Sequence, residues 1–118
     1  MIKGIGNDIL EIKRFDELKH KEHFLSRCFT EAEIAHAKGR TNVFAADFSV
    51  KESVSKMFGT GVRGFELKEI EVLRDSLGKP YVKLYGAAKK LSESLDITAI
   101  HVSISDSKEY VSTVAVGE

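Results

Sequence analysis

The sequence predicts an α+β fold: a single small domain in which an antiparallel sheet carries helices packed on one face. Three observations point there. The β-branched runs Ile97 to Ser105 and Tyr110 to Val116 flank the polar turn Asp106-Ser107-Lys108-Glu109, as in a hairpin. A helical apolar period extends from Asn42 to Phe58. The segment order is strand, helices, two strands, helix, two strands, without repeat or linker.

Taken in order, Ile2 to Ile12 alternates loosely around Ile5, Ile9 and Ile12, with Gly4 and Gly6 marking a bend or a close backbone approach. Arg14 to Leu25 places Phe15, Leu18 and Leu25 among charges, which predicts one thin-faced surface helix. Thr30 followed by Glu33 is a capping-box pattern, so a short helix is expected to start there and end near Gly39. The Asn42 to Phe58 helix buries Phe44, Phe48, Val50, Val54 and Met57 and stops at Gly59. Leu67, Ile70 and Val72 predict a strand, Ser76 to Pro80 a turn, and Tyr81 to Tyr85 a returning strand. Ala87, Ala88, Leu91 and Leu95 share one face of a last helix.

With 118 residues, 42% hydrophobic and 31% charged, the chain fits one core, residues 1–118, burying roughly two-thirds of its unfolded surface. Eighteen basic side chains balance eighteen acidic ones, and there is no tryptophan, which speaks against a nucleic-acid binder. No apolar run approaches bilayer length, so no membrane partner is expected. The opening MIKGIGNDIL lacks the features of an export signal, and the lone Cys28 suits a reducing compartment, so a cytoplasmic protein is expected. Cys28 reads as a buried structural thiol.

Three constellations could carry chemistry. In Gly4-Ile5-Gly6-Asn7-Asp8 a carboxylate interrupts a strand built for burial; Asp8 is either a solvated or capping residue at a bend, or a ligand for a hard cation such as Mg2+. In Lys51-Glu52-Ser53-Val54-Ser55-Lys56, Glu52 and Lys56 share a helix face, which admits an exposed ion pair or a metal ligand beside a phosphate partner. Gly59-Thr60-Gly61 is an ordinary C-cap or a place where backbone N–H groups approach phosphate, and Gly78-Lys79-Pro80 is a turn that puts Lys79 within reach of an anion. His20, His23 and His36 fall on predicted helices, whereas His101, within a strand, reads equally as a hydrogen-bonded core residue or a ligand contact.

Together GIGNDILEIKRF, FSVKESVSKMFGTG, LGKP and HVSISDSKEYVSTVAV resemble the holo-acyl-carrier-protein synthase family, the short-chain 4'-phosphopantetheinyl transferases, in order and across essentially the whole chain. The resemblance implies the fold of those transferases and a place in fatty acid biosynthesis. It implies that Asp8 and Glu52 coordinate Mg2+ on the pyrophosphate of coenzyme A, with Lys56 contacting phosphate or assisting deprotonation. A serine of an apo acyl carrier protein would attack the phosphate bearing pantetheine, and adenosine 3',5'-bisphosphate would leave. Gly59, Thr60, Gly61, Lys79, Pro80 and His101 would line the coenzyme A cleft between neighbours in a homotrimer.

The helix after the first strand, with Arg14, Leu18, Phe24 and Arg27, is expected to dock the acidic carrier protein. Two positions depart from the family pattern: Asp47, where many relatives carry arginine, and Asp106, where a histidine follows Ser-x-Ser. Asp47 is read as pairing with Lys51 one turn on. The competing reading is a non-catalytic module binding carrier protein or coenzyme A.

Overall fold

The computed structural model describes all 118 residues and has the predicted α+β class. Strands β1 (Gly4–Glu11) and β5 (Tyr110–Gly117) pair antiparallel along their full lengths, from Gly4 opposite Gly117 to Glu11 opposite Tyr110. β4 (Ile100–Asp106) flanks β5 on its other side and forms the expected terminal hairpin, giving the order β1-β5-β4. β2 (Ile70–Arg74) and β3 (Pro80–Leu84) form a separate antiparallel pair, so the one expected sheet is two, with β3 lying against β4. The turn between β2 and β3 is held by Asp75, whose Oδ1 accepts the N–H groups of Leu77 and Lys79 at 2.9 Å each. Leu67, predicted as strand, opens a 3-10 turn over Leu67–Glu69 instead.

The long helix α4 (Thr41–Met57) lies across the inner face of β1 and β5 and divides the core in two. One side packs Val50, Val54 and Met57 with Ile70, Val72 and with Ala88 of α5 (Gly86–Ser94); the other packs Phe44 and Ala45 with Phe15, Phe29 and Val111. Aromatic edges build the second cluster: the Phe15 and Phe29 rings meet nearly perpendicular at 6.2 Å, and Phe29 meets Phe44 at 5.1 Å. α3 (Glu31–Ala37) begins with the predicted capping box, Thr30 and Glu33 each bonding the other's backbone N–H.

The single helix expected over Arg14 to Leu25 is broken into α1 (Ile12–Leu18) and α2 (Phe24–Cys28). Five consecutive polar residues, Lys19 to His23, offer nothing to bury, and the chain reverses there with His23 in the left-handed region at φ 62°. His20 and His23 are therefore not helical.

The outer face of the β1-β5-β4 sheet is uncovered. Ile5 and Ile9 are 67% and 70% exposed, and Asn7, Tyr110, Ser112, His101, Ser103 and Ser105 share that face. No helix is long and apolar enough to cross a membrane.

Candidate active site

Two glycines place the first charged group. A Cβ on Gly4 would lie 2.2 Å from the Met57 carbonyl oxygen, and one on Gly6 would lie 2.0 Å from that of Ser53. The absence of side chains thus lets β1 rest directly on α4, and the predicted close approach is to this helix. Alternation then turns Asp8 inward, against the same helix.

On α4, Ser49, Glu52, Ser53 and Lys56 stand at spacings of three and four and line one stripe of the helix. Ser49 Oγ donates to Asp8 Oδ2 at 2.8 Å. Lys56 Nζ donates to the Asn7 carbonyl at 2.9 Å and stands 3.4 Å from Asp8 Oδ1. Lys56 therefore turns to the strand and not to Glu52, and the simple helical ion pair does not form. Glu52, half-buried, makes no hydrogen bond or ion pair; burial first, and then the adjacent Asp8 carboxylate, push its pKa up, with Lys56 opposing.

Lys56 faces Asp8, while Glu52, near enough to feel the Asp8 carboxylate, pairs with no cation. Both carboxylates supply hard oxygen atoms, and the chain brings no cluster of three or more His, Cys, Asp or Glu side chains together. Such a pair suits Mg2+, which keeps waters and shares itself with substrate phosphates instead of filling a protein cage. The residues fit the ion.

No side chain of the other predicted contacts bonds to Asp8, Glu52 or Lys56. Gly59 and Gly61 follow α4 with φ of 82° and 64°, and the Gly59 N–H donates to the Lys56 carbonyl at 2.9 Å, so the segment does cap the helix. Lys79 is exposed beyond the Asp75 turn. Pro80 and Gly78 border a cavity of about 230 Å3 shared with Asn42, Arg74 and Asp106. His101 is exposed on the outer sheet face, with Nε2 2.8 Å from Glu118 Oε1, so the core reading of this histidine does not hold. The largest concavity, about 590 Å3 between Glu11, Lys13, Asp16, Thr41, Lys108 and Glu109, contains none of the three central charges. Three acidic side chains face two basic ones there.

Arg14 and Arg27 are exposed and Leu18 partly so, but on two separate helices. Phe24 turns inward, its ring 5.8 Å from both Phe15 and Phe48, and is an anchor of the core. Cys28 is half-buried, and burial pushes its thiol pKa up, consistent with an inert role.

Asp47 does not pair with Lys51. It faces Arg74 from β2, with Nη2 donating to Oδ1 at 2.8 Å, while Oδ2 and the guanidinium Nη1 lack partners. Lys51 is taken by Glu33, and its ammonium also donates to the Ile70 and Leu67 carbonyls. Residue-by-residue reading missed Arg74, the pairing of Glu33 with Lys51, and the hydroxyls of Ser49, Ser53 and Thr113. Only the spacing of Ser49 and Ser53 with Glu52 and Lys56 hinted at a polar stripe.

The 4'-phosphopantetheinyl transferase superfamily model matches residues 4–115. The holo-[acyl-carrier-protein] synthase of Lachnoclostridium phytofermentans is 48% identical over 118 residues, covering 100% of this chain and 97% of the relative. The crystal structure of holo-[acyl-carrier-protein] synthase from Neisseria meningitidis superposes with a TM-score of 0.91 at 35% identity, covering 100% of this chain and 99% of that one. That of the Bacillus anthracis synthase in complex with CoA (3',5'-ADP) superposes with a TM-score of 0.83, also at 35% identity, with 100% and 97% covered. Sequence, fold and the converging charges on β1 and α4 agree, and the chain belongs to the 4'-phosphopantetheinyl transferase superfamily, within its holo-[acyl-carrier-protein] synthase branch.

Proposed function

We propose that the protein, acting as one transferase domain over residues 1–118, moves the 4'-phosphopantetheine group of coenzyme A to a serine hydroxyl of apo acyl carrier protein, with Mg2+ required. The observation that carries this reading is the convergence of Asp8, Glu52 and Lys56 where β1 crosses α4. Asp8 and Glu52 would hold Mg2+, which when bound supplies a Lewis acid for the pyrophosphate oxygens. The Lys56 ammonium has three N–H donors; one is committed to the Asn7 carbonyl and one points to Asp8, which leaves the third for a phosphate oxygen. Lys56 thereby fixes the phosphate in line for the incoming serine oxygen. The new P–O bond forms as the bond to adenosine 3',5'-bisphosphate breaks, the serine hydroxyl proton passing to solvent water, and positioning and charge neutralisation account for most of the rate.

The uncovered sheet face supports a homotrimer. Ile5 and Ile9 would be covered by a neighbouring copy, and His101 on that face, together with Gly59 to Gly61, Lys79 and Pro80, would close the coenzyme A cleft between subunits. Arg14 and Arg27, with Leu18 between them, would receive an acidic carrier protein. These assignments, the cytoplasmic location and the role in fatty acid biosynthesis form one reading.

The test is the intact mass of an apo acyl carrier protein after incubation with this protein, coenzyme A and Mg2+, beside a chelator control. A metal-dependent gain of one phosphopantetheine group is expected. An unchanged carrier, with folded protein present, would favour a binding module without turnover.

A further inference from the structure

Behind Asp8 lies a row of hydroxyls that the proposed reaction does not use. Ser49 Oγ is 2.8 Å from Asp8 Oδ2 and 2.8 Å from Thr113 Oγ1, which is in turn 2.6 Å from Ser53 Oγ. Ser49 and Ser53 are wholly buried and Thr113 is 3% exposed, so water does not supply these bonds. A hydroxyl has one hydrogen, and an ionised carboxylate only accepts. Ser49 therefore spends its hydrogen on Asp8 and Thr113 donates to Ser49; Ser53, whose Oγ lies 2.6 Å from Thr113 Oγ1 and 3.3 Å from the Thr113 carbonyl, gives its hydrogen to the nearer hydroxyl. All three O–H dipoles point the same way, toward the carboxylate, and each strengthens the next.

An apolar trio would fill this space between α4 and β5 without any polar group to satisfy, since replacing both partners of a buried hydrogen bond by apolar groups is often nearly neutral. The row has one charged end, and that end is Asp8. Ser49 holds Oδ2 toward the interior, which leaves Oδ1 facing Lys56 and the open side of the site.

We propose that Ser49, Thr113 and Ser53 form a one-directional hydroxyl relay that positions the Asp8 carboxylate for a divalent cation. The proposal rests on the assignment of Asp8 to the metal. Ser49 is a positioning residue that acts through Asp8, and partners of this kind typically change metal affinity by about tenfold or more.

The experiment is titration of the full-length protein with Mn2+ alone, reading free ion by electron paramagnetic resonance, beside a thermal melt of each variant. Ser49→Ala is expected to weaken Mn2+ binding by about tenfold. Thr113→Val, which keeps shape but removes the donor, should weaken it to a smaller degree, and Thr113→Ser, which keeps the hydroxyl, should restore the parent affinity. Asp8→Ala should abolish binding. If Asp8→Ala abolishes it while Ser49→Ala and Thr113→Val bind as the parent does, the relay is wrong and the metal assignment stands. If Asp8→Ala binds as well as the parent, both fall. Should Ser49→Ala fail to fold, the Thr113→Val and Thr113→Ser pair decides alone: equal affinities overturn the relay.

Discussion

Lys51 and Glu33 form an ion pair of 2.9 Å in which neither side chain is exposed, and it ties α4 to α3. Burial pushes the Lys51 pKa down while Glu33 opposes that shift. Glu33 also accepts the N–H groups of Thr30 and Val72, and Lys51 reaches the Ile70 carbonyl. Lys51→Met should therefore cost about 3–5 kcal/mol in denaturant unfolding, since it strands a buried carboxylate. Adding Glu33→Leu should recover only part of that loss, because the Val72 N–H and Ile70 carbonyl are left unpaired. Full recovery would show that the backbone bonds contribute nothing.

Gly6→Ala should be harmful twice over. Its Cβ would sit 2.0 Å from the Ser53 carbonyl and 2.6 Å from the Met57 nitrogen, both backbone atoms of α4, so strand and helix must separate. A stability loss of about 3 kcal/mol is expected, with transfer activity lost more steeply as Asp8 moves from Ser49 and Lys56. Gly59→Ala is the control: nothing crowds its Cβ, and the cost of φ 82° alone is about 1–2 kcal/mol. Equal losses of stability in the two variants would argue against close packing as the cause.

Asp47 gives the protein an acid-side gain in stability. Burial, opposed by Arg74, pushes its pKa from 3.8 up to about 6, so between those values the folded state binds a proton that the unfolded chain has released. The favourable contribution is therefore complete below the unfolded value and is lost as pH rises through about 6, a change of about 3 kcal/mol at most. The unpartnered Oδ2 explains why a single bond to Arg74 does not offset the burial. Asp47→Asn should remove this dependence. The difference in unfolding free energy between parent and variant should thus vary between acid and neutral pH; a constant difference would mean that Asp47 titrates as an ordinary carboxyl.

Asp8→Ala and Glu52→Ala should each reduce Mg2+-dependent transfer by at least about a hundredfold while the fold persists. Glu52 has no hydrogen bond to lose, so its removal should leave the melting temperature unchanged or raised. Near-normal turnover by either variant, followed by carrier-protein mass, would sink the two-carboxylate site.

Arg14→Glu should raise the KM for carrier protein by several-fold at low salt and leave that for coenzyme A unchanged, since an exposed charge acts on encounter more than on chemistry. Equal effects on both substrates would remove Arg14 from the docking surface.

Local signals read true where they were self-contained. The period and terminal glycine of α4 located it to within a residue at each end, and Thr30 with Glu33 announced the start of α3. What Glu33 does with its second oxygen was not legible, since Lys51 and the Val72 N–H come from distant turns of the chain. The break at Lys19 to His23 escaped notice because charged residues suit both a helix surface and a reversal. At the site, the residues alone left Asp8, Glu52 and Lys56 open, and only their family resemblance grouped them. Ser49, Ser53 and Thr113 were silent because a hydroxyl in a helix or strand acquires meaning only from what faces it.

The pairing of β1 with β5 also sets a condition on biosynthesis. Asp8 and Thr113 face each other in register although they are about a hundred residues apart, so the strand that bears the carboxylate leaves the ribosome long before its partner. Until β5 arrives, β1 has no neighbour in its sheet and Ser49 no incoming donor. A nascent or prematurely terminated chain would thus expose an unpaired strand edge, a target for chaperones and proteases, and would leave Ser49 without the Thr113 hydroxyl. A chain that ends before β5 should therefore lack transferase activity.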